Sequence, residues 1–349
     1  MIRYLFFLIL LPLITACGTD ETAENYSKIY PDGKSKVDSI VESSFSIDQF
    51  ILGQENGIEL VATLLSSPLK DSSSSKAILY IHGFGDYFFQ VHLASFYHQL
   101  GYNFYALDLR RAGRSLKDNM RNNYTADLTE YFQEIDSAVL RIKLSNEHLV
   151  INAHSQGGLI ASLYAHEKGE NDVVDAYILN SPFFDLKTNF VLSIAEVYYN
   201  IIGKFNPTHP LPIGPEGLYA KSLHKDYYGE WEFNTTWKPI EGVPLYAGWV
   251  RAVRRGHQMV EEGLEIEKPI LVLHSDRTWQ TSTFEPEILE SETVLDVEDI
   301  KRGATRLGHQ VTIVEVLGAL HDVVLSKKRS RNLAFSEIEN WLNQLSFLQ

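Results

Sequence analysis

The sequence predicts an α/β protein whose mostly parallel central sheet is flanked by helices and interrupted by one insertion. Residues 77–81 form a short apolar run, residues 91–100 favour a helix, and residues 103–107 form a second apolar run, which is the βαβ order of a parallel sheet. This alternation stops after residue 182 and resumes at residues 269–273. With 349 residues and 44% hydrophobic content, the chain is long enough for one large core that carries an insertion.

The remaining elements follow from hydrophobic periodicity. We expect antiparallel strands within residues 50–66, an amphipathic helix over 127–144, a strand over 173–179, a helix over 294–307, the last strand over 310–316 and a terminal helix over 326–345 with Leu333 and Phe335 on its buried side. The charged loop 108–115 is more typical of an internal ion-pair set than of a reactive site.

Residues 149–158 are the segment around which the other elements are arranged. An apolar run with several β-branched residues breaks into small-x-Ser-x-Gly at 153–157 and passes directly into an apolar helix pattern. This order of strand, sharp turn and helix is typical of a turn that holds a nucleophilic serine, Ser155, above a sheet. Ala153 stands at the first small position, where glycine is more usual. Ser155 as an ordinary helix N-cap is the alternative, but it does not explain the flanking small residues.

The N-terminus is typical of a targeting segment. Arg3 precedes an apolar run over residues 5–14, and small residues lead to Cys17. This pattern resembles the lipobox of bacterial lipoproteins, which implies that residues 1–16 are a cleaved signal peptide and that Cys17 is lipidated. We therefore expect export to the bacterial cell envelope and anchoring to a membrane, with the outer membrane or the cell surface favoured. An uncleaved signal anchor is the alternative.

Residues 17–46 read as the lipidated cysteine and a polar tether with a short ordered piece near its end. Cys17 is the single cysteine, so the mature chain would have no free thiol and no disulfide. The formal net charge of −14 disfavours binding to nucleic acid and to anionic headgroups. No metal-ligand spacing and no phosphate-binding glycine loop is present, so we expect neither metal nor cofactor, and a small molecule or lipid as substrate. The sequence leaves the oligomeric state open.

Residues 183–267 are predicted to be a cap between the two parts of the core, residues 47–182 and 268–349. The stretch is rich in proline and aromatic residues, and an insertion at the carboxyl edge of the sheet would lie over Ser155. Most of these aromatic side chains are expected to form the cap's own small core, and a few are expected to face the serine.

A serine hydroxyl needs a base that takes its proton, and the base needs a third group that orients it. Among the 12 histidines, His321 lies in the loop directly after the last predicted strand, which fits the chain order serine, acid, histidine. The other histidines have simpler roles. His154 is predicted to be structural, and four others are predicted to lie at the surface: His98, His148, His224 and His309.

Several motifs in this order resemble the α/β-hydrolase family over residues 47–349. They are His82-Gly83-Phe84-Gly85, the loop 108–115, the turn 153–157, Asn180-Ser181-Pro182 and Gly318-x-x-His321-Asp322. The resemblance is closest to the group that holds monoacylglycerol lipases, lysophospholipases and serine-aminopeptidase-like enzymes. It implies a serine hydrolase that cleaves carboxylic esters of apolar acyl groups through an acyl-enzyme on Ser155. A serine aminopeptidase or amidase is the alternative within this class, and a catalytically silent, lipid-anchored binding protein is the non-enzyme alternative.

The acid is the open position of this triad. The family usually places an aspartate a few residues after the strand that ends at Leu273, but Thr278 stands there. Glu292 lies in a stretch that resembles the family's Asp-x-Val-x-Asp segment and is the favoured candidate. Asp296, which also reads as a helix N-cap, and Asp276 remain alternatives.

Two backbone N–H groups are expected to form the oxyanion hole. They belong to Gln156, directly after the nucleophile, and to Phe84, in the loop after the first buried strand. Gly83 and Gly85, on either side of Phe84, would allow the close backbone approach that such a hole requires.

Overall fold

The computed structural model describes residues 35–69, 74–185, 201–211 and 217–345. The predicted signal peptide 1–16, the predicted lipidation site Cys17 and most of the tether lie outside these ranges. So do part of the serine-rich turn near residue 71 and part of the predicted cap.

A single mixed sheet forms the centre of the molecule, which confirms the predicted fold class. Its strands are β1 (Ser46–Glu55), β2 (Ile58–Ser67), β3 (Lys76–Ile81), β4 (Asn103–Asp108), β5 (His148–His154), β6 (Ala176–Asn180), β7 (Ile270–Ser275) and β8 (Val311–Val316). Their spatial order is β1-β2-β4-β3-β5-β6-β7-β8. β2 pairs antiparallel with β1 and β4, and each pairing from β4 onwards is parallel. The carboxyl ends of β3, β5, β6, β7 and β8 therefore meet at one edge.

Helices cover both faces of this sheet. They are α1 (Lys36–Ser44), α2 (Val91–Gln99), α3 (Phe132–Lys143), α4 (Gln156–Lys168), α5 (Leu218–Leu223), α6 (Ala247–Glu262), α7 (Val297–Ala304) and α8 (Lys328–Leu342). The apolar side chains of α1, α2 and α8 pack on one face, and those of α3, α4, α6 and α7 pack on the other. The inner strands β3 to β7 are consequently buried on both sides, as expected for a parallel sheet, whereas the edge strands β1 and β8 are largely exposed.

Helix ends differ from the periodicity-based bounds where a side chain fixes them. The side chain of Asp296 accepts a hydrogen bond from the backbone N–H of Glu298, so α7 begins at Val297 and not at Val294. A 3-10 turn over Leu128–Tyr131 precedes α3 inside the predicted helix 127–144. Leu333 was predicted to be buried but is 42% exposed, because α8 turns Ala334 and Ile338 towards the sheet.

The short ordered piece expected near the end of the tether is α1. Ser35 and Asp38 cap its N-terminus reciprocally, and Val41 is buried against the sheet. The carboxylate of Asp38 also lies 3.4 Å from the guanidinium of Arg114, which ties the helix to the loop 108–115.

The loop 108–115 contains the predicted set of internal ion pairs. The guanidinium of Arg110 donates to the carboxylate of Glu134 at 2.8 Å, and that of Arg114 donates to Asp108 at 2.8 Å. Asp108 also accepts a hydrogen bond from the backbone N–H of Phe88. These buried pairs hold the loop beside the segment that follows β3.

Several described aromatic residues of the inserted stretch pack in a cluster with residues of the core loops, which corrects the prediction of a separate small core. Phe233 and Leu223 are buried together with Tyr87, Phe89 and Leu320, which lie in loops at the carboxyl edge of the sheet. The stretch therefore packs directly on that edge. Tyr227 and Tyr228, by contrast, are exposed.

His224 was predicted to lie at the surface, and this was wrong. Its side chain is only 2% exposed, and its ring packs edge-on against Phe233 at a centroid distance of 4.7 Å. Burial lowers the pKa of this imidazole. His98 and His148 are partly buried, and His309 is exposed.

Among the residues that the structure describes, no helix combines the length and the apolar character that crossing a bilayer requires.

Candidate active site

The turn after β5 forces an unusual backbone conformation on Ser155. Its φ of 51° and ψ of −118° lie in a region that side chains other than that of glycine rarely adopt, at a cost of about 1–3 kcal/mol. Although Ser155 occupies the N-cap position of α4, its side chain makes no capping hydrogen bond. The N-cap alternative therefore does not account for this serine.

Small residues around Ser155 are required by the close packing of neighbouring strands. A Cβ at position 157 would overlap the carbonyl oxygen of His82 and lie 2.8 Å from that of Ile81. A Cβ at position 158 would lie 2.8 Å from the Cβ of Pro182. The glycines therefore let α4 start directly against the ends of β3 and β6, with Ser155 at the edge between them.

His321 meets Ser155 from the loop after β8. The imidazole Nε2 lies 2.9 Å from Ser155 Oγ, and Nδ1 lies 2.7 Å from Glu292 Oε2. The loop is shaped by Gly318, which has a φ of 65°, and by the hydroxyl of Ser326, which accepts from the N–H of Leu320. Serine, imidazole and carboxylate thus form one continuous chain of hydrogen bonds.

Glu292 is fully buried, and its second oxygen is also satisfied. Oε1 accepts hydrogen bonds from the backbone N–H groups of Val294 at 2.8 Å and Leu295 at 2.9 Å. Burial raises the pKa of this carboxyl, but the adjacent His321 and the two backbone N–H groups more than offset that effect, so the pKa lies below its usual value. The carboxylate is therefore ionised at neutral pH and able to orient the imidazole.

The two alternative acids are engaged elsewhere. Asp296 caps α7, and Asp276 accepts a hydrogen bond from the backbone N–H of Gly318 at 2.7 Å. Thr278, which stands where the resemblance places an aspartate, pairs through the backbone with Glu292 in an isolated parallel bridge. Glu292 thus contacts the imidazole from the segment that pairs with Thr278, whereas the resemblance places the acid at position 278 itself.

The expected oxyanion-hole residues lie on either side of Ser155. Gln156 is the first residue of α4, and Phe84 follows β3 in a loop where a Cβ on Gly83 would lie 3.1 Å from Ser155 Cβ. Gly85 has a φ of 62° and turns the loop away again. Within the described ranges, neither the N–H of Phe84 nor that of Gln156 donates to another protein group. Both amides are therefore available beside Ser155.

A buried polar layer supports His321, and sequence reasoning missed most of it. Asp322 accepts a hydrogen bond from the side-chain amide of Asn180 at 2.6 Å and donates its own backbone N–H to the hydroxyl of Tyr219. The ring of Tyr219 packs edge-on against His321 at 5.3 Å. His154, predicted to be structural, is buried with its ring 4.9 Å from that of His321, and burial lowers its pKa.

Two further contacts join the inserted stretch to the loop after β3. Lys238 Nζ lies 3.0 Å from the carboxylate of Asp86, and both side chains are buried. Trp249 packs on Phe84 and donates its indole N–H to the side chain of Gln156. The sequence shows a charged residue, Asp86, in the loop after β3 and several aromatic residues near Lys238. No local pattern indicates that these two distant residues form an ion pair.

A cavity of about 820 Å³ lies between α6 and α7, away from Ser155. Arginine side chains line it, and Asp185 binds two of them, Arg254 at 3.0 Å and Arg302 at 2.8 Å. The lining thus carries charges of both signs. Over the described part of the chain, no three His, Cys, Asp or Glu side chains group so as to hold a metal ion.

The family model described as Hydrolase_4, serine aminopeptidase S33, matches residues 72–283. The matched range includes Phe84, Ser155 and Gln156 and ends before Glu292 and His321. No curated protein matches the chain.

Solved structures with a similar fold include two lipases and the protein Est1E. One is a soluble variant of monoglyceride lipase from Saccharomyces cerevisiae in complex with a substrate analogue, with a TM-score of 0.64, 16% identity and coverage of 86% of this chain and 96% of that one. Another is monoacylglycerol lipase from Paleococcus ferrophilus, with a TM-score of 0.58, 18% identity and coverage of 82% and 99%. Est1E from Butyrivibrio proteoclasticus, with ferulic acid bound, gives 0.52, 17% identity, 83% and 96%. At these identities the similarity establishes the fold.

Proposed function

Because this chain belongs to the serine aminopeptidase S33 family and is a hydrolase of the α/β type, we propose that it cleaves carboxylic esters of apolar acyl groups. The substrates would be monoacylglycerols, lysophospholipids or esters of similar chemistry. The observation that supports this most directly is the hydrogen-bonded chain from Ser155 through His321 to Glu292, with distances of 2.9 Å and 2.7 Å.

The proposed reaction proceeds through an acyl-enzyme. Ser155 Oγ attacks the acyl carbonyl while His321 Nε2 takes the hydroxyl proton, and Glu292 stabilises the imidazolium that forms. His321 then gives this proton to the departing alcohol oxygen. Water repeats the sequence on the acyl-enzyme and releases the acid. The backbone N–H groups of Phe84 and Gln156 would bind the oxyanion in both steps, and losing one such donor typically costs about 3 kcal/mol of barrier.

The charges near the proposed triad favour an ester over an aminopeptidase substrate. An aminopeptidase has to hold the charged amino terminus of its substrate, which calls for a carboxylate that can pair with it. Within the described residues, the buried carboxylates of this region already have partners: Asp86 binds Lys238, and Asp322 binds Asn180. The partly exposed ring of Phe84, beside Ser155, also suits an apolar group.

The first test is chemical labelling together with a substrate panel. We expect the purified chain to react with a fluorophosphonate probe and to hydrolyse p-nitrophenyl esters faster than aminoacyl p-nitroanilides. Ser155→Ala should lose the label and at least about 10⁴-fold in ester hydrolysis. Ser162→Ala is the matched control, because this serine is also buried in α4 but bonds to the carbonyl oxygen of Gly158.

Each arm of this test has an outcome that contradicts the proposal. Undiminished activity in Ser155→Ala would show that Ser155 is not the nucleophile. An unlabelled, inactive wild-type chain would favour the alternative of a catalytically silent binding protein. A preference for aminoacyl anilides over esters would establish the aminopeptidase alternative and leave the triad assignment standing.

We also propose that lipid on Cys17 anchors the enzyme to a membrane of the bacterial cell envelope. The support is the apolar run at residues 5–14, followed by small residues up to the single cysteine. Expressed with its full N-terminus, the chain should incorporate an alkyne fatty acid and lose the residues before Cys17, whereas Cys17→Ser should do neither. An unlabelled wild-type chain that retains residues 1–16 would instead support the signal-anchor alternative.

A further inference from the structure

Trp249 is a residue of the inserted stretch whose side chain contacts the residue directly after Ser155. It lies in the first turn of α6, and its side chain is 6% exposed. The indole packs on the ring of Phe84 with a centroid distance of 4.4 Å and an interplanar angle of 36°. Its Nε1–H donates to Gln156 Oε1 at 2.7 Å. One side chain thus contacts both residues whose backbone amides would form the oxyanion hole.

Those two residues come from different loops, and no backbone pairing joins them. Phe84 lies between two glycines in the loop after β3, and Gln156 follows the strained Ser155 at the start of α4. A segment flanked by glycines has much conformational freedom, so its position depends on what its side chain contacts. Because the indole holds both side chains, it constrains the separation of the two amides.

Trp249 also contacts the chain on the far side of Ser155. Its ring lies nearly parallel to that of Phe183 at 6.3 Å, and the backbone N–H of Phe183 donates to the carbonyl oxygen of Ser155 at 3.1 Å. His257, two turns further along α6, lies 3.0 Å from the carbonyl oxygen of Phe183. Two residues of the helix therefore contact Phe183, which is itself hydrogen-bonded to Ser155.

The helix that carries Trp249 is itself firmly seated. The N–H of Gly248 donates to the carbonyl oxygen of Pro207 at 2.8 Å, an approach that leaves no room for a Cβ. At Gly256 the helix packs against leucine side chains, including Leu159 of α4. The close packing of α6 therefore fixes the position of Trp249, and a side chain that positions other groups must itself be fixed in this way.

We propose that Trp249 is a positioning residue that sets the geometry of the oxyanion hole by holding Phe84 and Gln156 at once. This inference rests on the proposed acyl-enzyme mechanism. The indole binds neither the acyl group nor the leaving group in this assignment. It lowers the barrier by keeping two backbone donors at the separation that the tetrahedral oxyanion requires.

The test compares two tryptophans that lose the same kind of hydrogen bond. Trp249→Phe removes the donor to Gln156, and Trp231→Phe removes an indole donor to the carbonyl oxygen of Leu325. We expect Trp249→Phe to lower kcat for the best ester about tenfold, with KM changed less than about twofold. Affinity for a trifluoromethyl ketone, which mimics the tetrahedral state, should fall by a similar factor. Trp231→Phe should change neither quantity by more than about twofold.

A double-mutant cycle identifies the route of the effect. Gln156→Met removes the acceptor but keeps the backbone N–H, so we expect it to lower kcat about as much as Trp249→Phe does. The double variant should then be no worse than either single variant by more than about twofold. Circular dichroism and thermal unfolding of each variant separate loss of kcat from loss of fold.

Three results would overturn the assignment. They are an unchanged kcat in Trp249→Phe, a rise in KM alone, which would place the indole against substrate, and losses that simply add in the double variant. Failure of the proposed function looks different, because then the wild-type chain would not react with the fluorophosphonate probe.

Discussion

The loops that follow β5 and β7 each lead to a residue of the same hydrogen-bonded chain, but they hold it by different means. After β5 the chain turns within one strained residue, Ser155, and α4 begins at once. After β7 the chain runs through residues 276–291 before it reaches Glu292, and side-chain and backbone hydrogen bonds fix the carboxylate. The serine is therefore held by the backbone and its steric limits, whereas the acid is held by its partners and can approach from a neighbouring segment.

After that of Ser155→Ala, the largest effect should come from the carboxylate. Glu292→Gln keeps an oxygen for the backbone N–H groups of Val294 and Leu295, but it places an amide against His321 and favours the wrong tautomer. We expect kcat to fall by roughly 10³–10⁴-fold, as in serine hydrolases whose triad acid becomes an amide. Measurement of kcat for ester hydrolysis near neutral pH tests this expectation.

Asp296→Ala is the control for this variant. It removes the cap of α7 and should cost about 1 kcal/mol of unfolding free energy, but it should leave kcat within about twofold. A large loss of kcat in Asp296→Ala with little loss in Glu292→Gln would reverse the assignment of the acid.

The close packing around Ser155 predicts the next-largest effect, which is a loss of stability. In Gly157→Ala the new methyl group would meet backbone carbonyl oxygens that cannot move aside, so we expect about 3 kcal/mol of lost stability by urea unfolding. Gly256→Ala is the matched helical control, because its nearest neighbours are the ends of leucine side chains, and it should cost less than about 1 kcal/mol. Equal costs in the two variants would contradict the rigidity of the turn.

Whether the carboxylate can also act from a neighbouring segment can be tested by placing an acidic residue there. Thr278 pairs with Glu292 through the backbone, and its hydroxyl accepts a hydrogen bond from the backbone N–H of Val297 at 2.9 Å. An aspartate at position 278 would therefore have to turn away from α7 to reach the imidazole. We expect Thr278→Asp to raise kcat of the Glu292→Gln variant about tenfold, because a carboxylate can again orient His321. Thr278→Asn in the same background should restore nothing, and recovery with this amide would show that charge is not what is needed.

A smaller effect should appear in the pH dependence of stability. The pKa of Glu292 lies below its usual value of 4.5, so its ionised form stabilises the fold above that pH, and this contribution is lost as the pH falls through the folded-state pKa. The unfolding free energy of the wild-type chain should therefore fall more steeply on acidification than that of Glu292→Gln. Parallel curves in urea titrations would contradict the lowered pKa.

The parts of the molecule that could be predicted are those that local sequence determines. The parallel strands, the turn at 153–157 and the loop that carries His321 follow from short patterns, because sterics and periodicity act over neighbouring residues. The ion pairs of the loop 108–115 were also anticipated as a class, although the partner of Arg110, Glu134, could not be named from the sequence.

The parts that could not be predicted depend on distant segments meeting. The choice among Glu292, Asp296 and Asp276 is made by which side chain reaches His321 after folding, and all three lie close together in sequence. Trp249 has no local signature, since its indole contacts residues more than 90 positions away. His224 was misplaced for the same reason, because the aromatic cluster that buries it comes partly from outside its own segment.

The backbone angles of Ser155 imply that the stability of the fold and the proposed reactivity favour different residues at this position. At a φ of 51° and ψ of −118°, glycine would be unstrained, whereas serine is strained. The most stable version of this protein would thus have glycine at position 155 and lack the proposed nucleophile, so stability alone does not explain a serine at this turn.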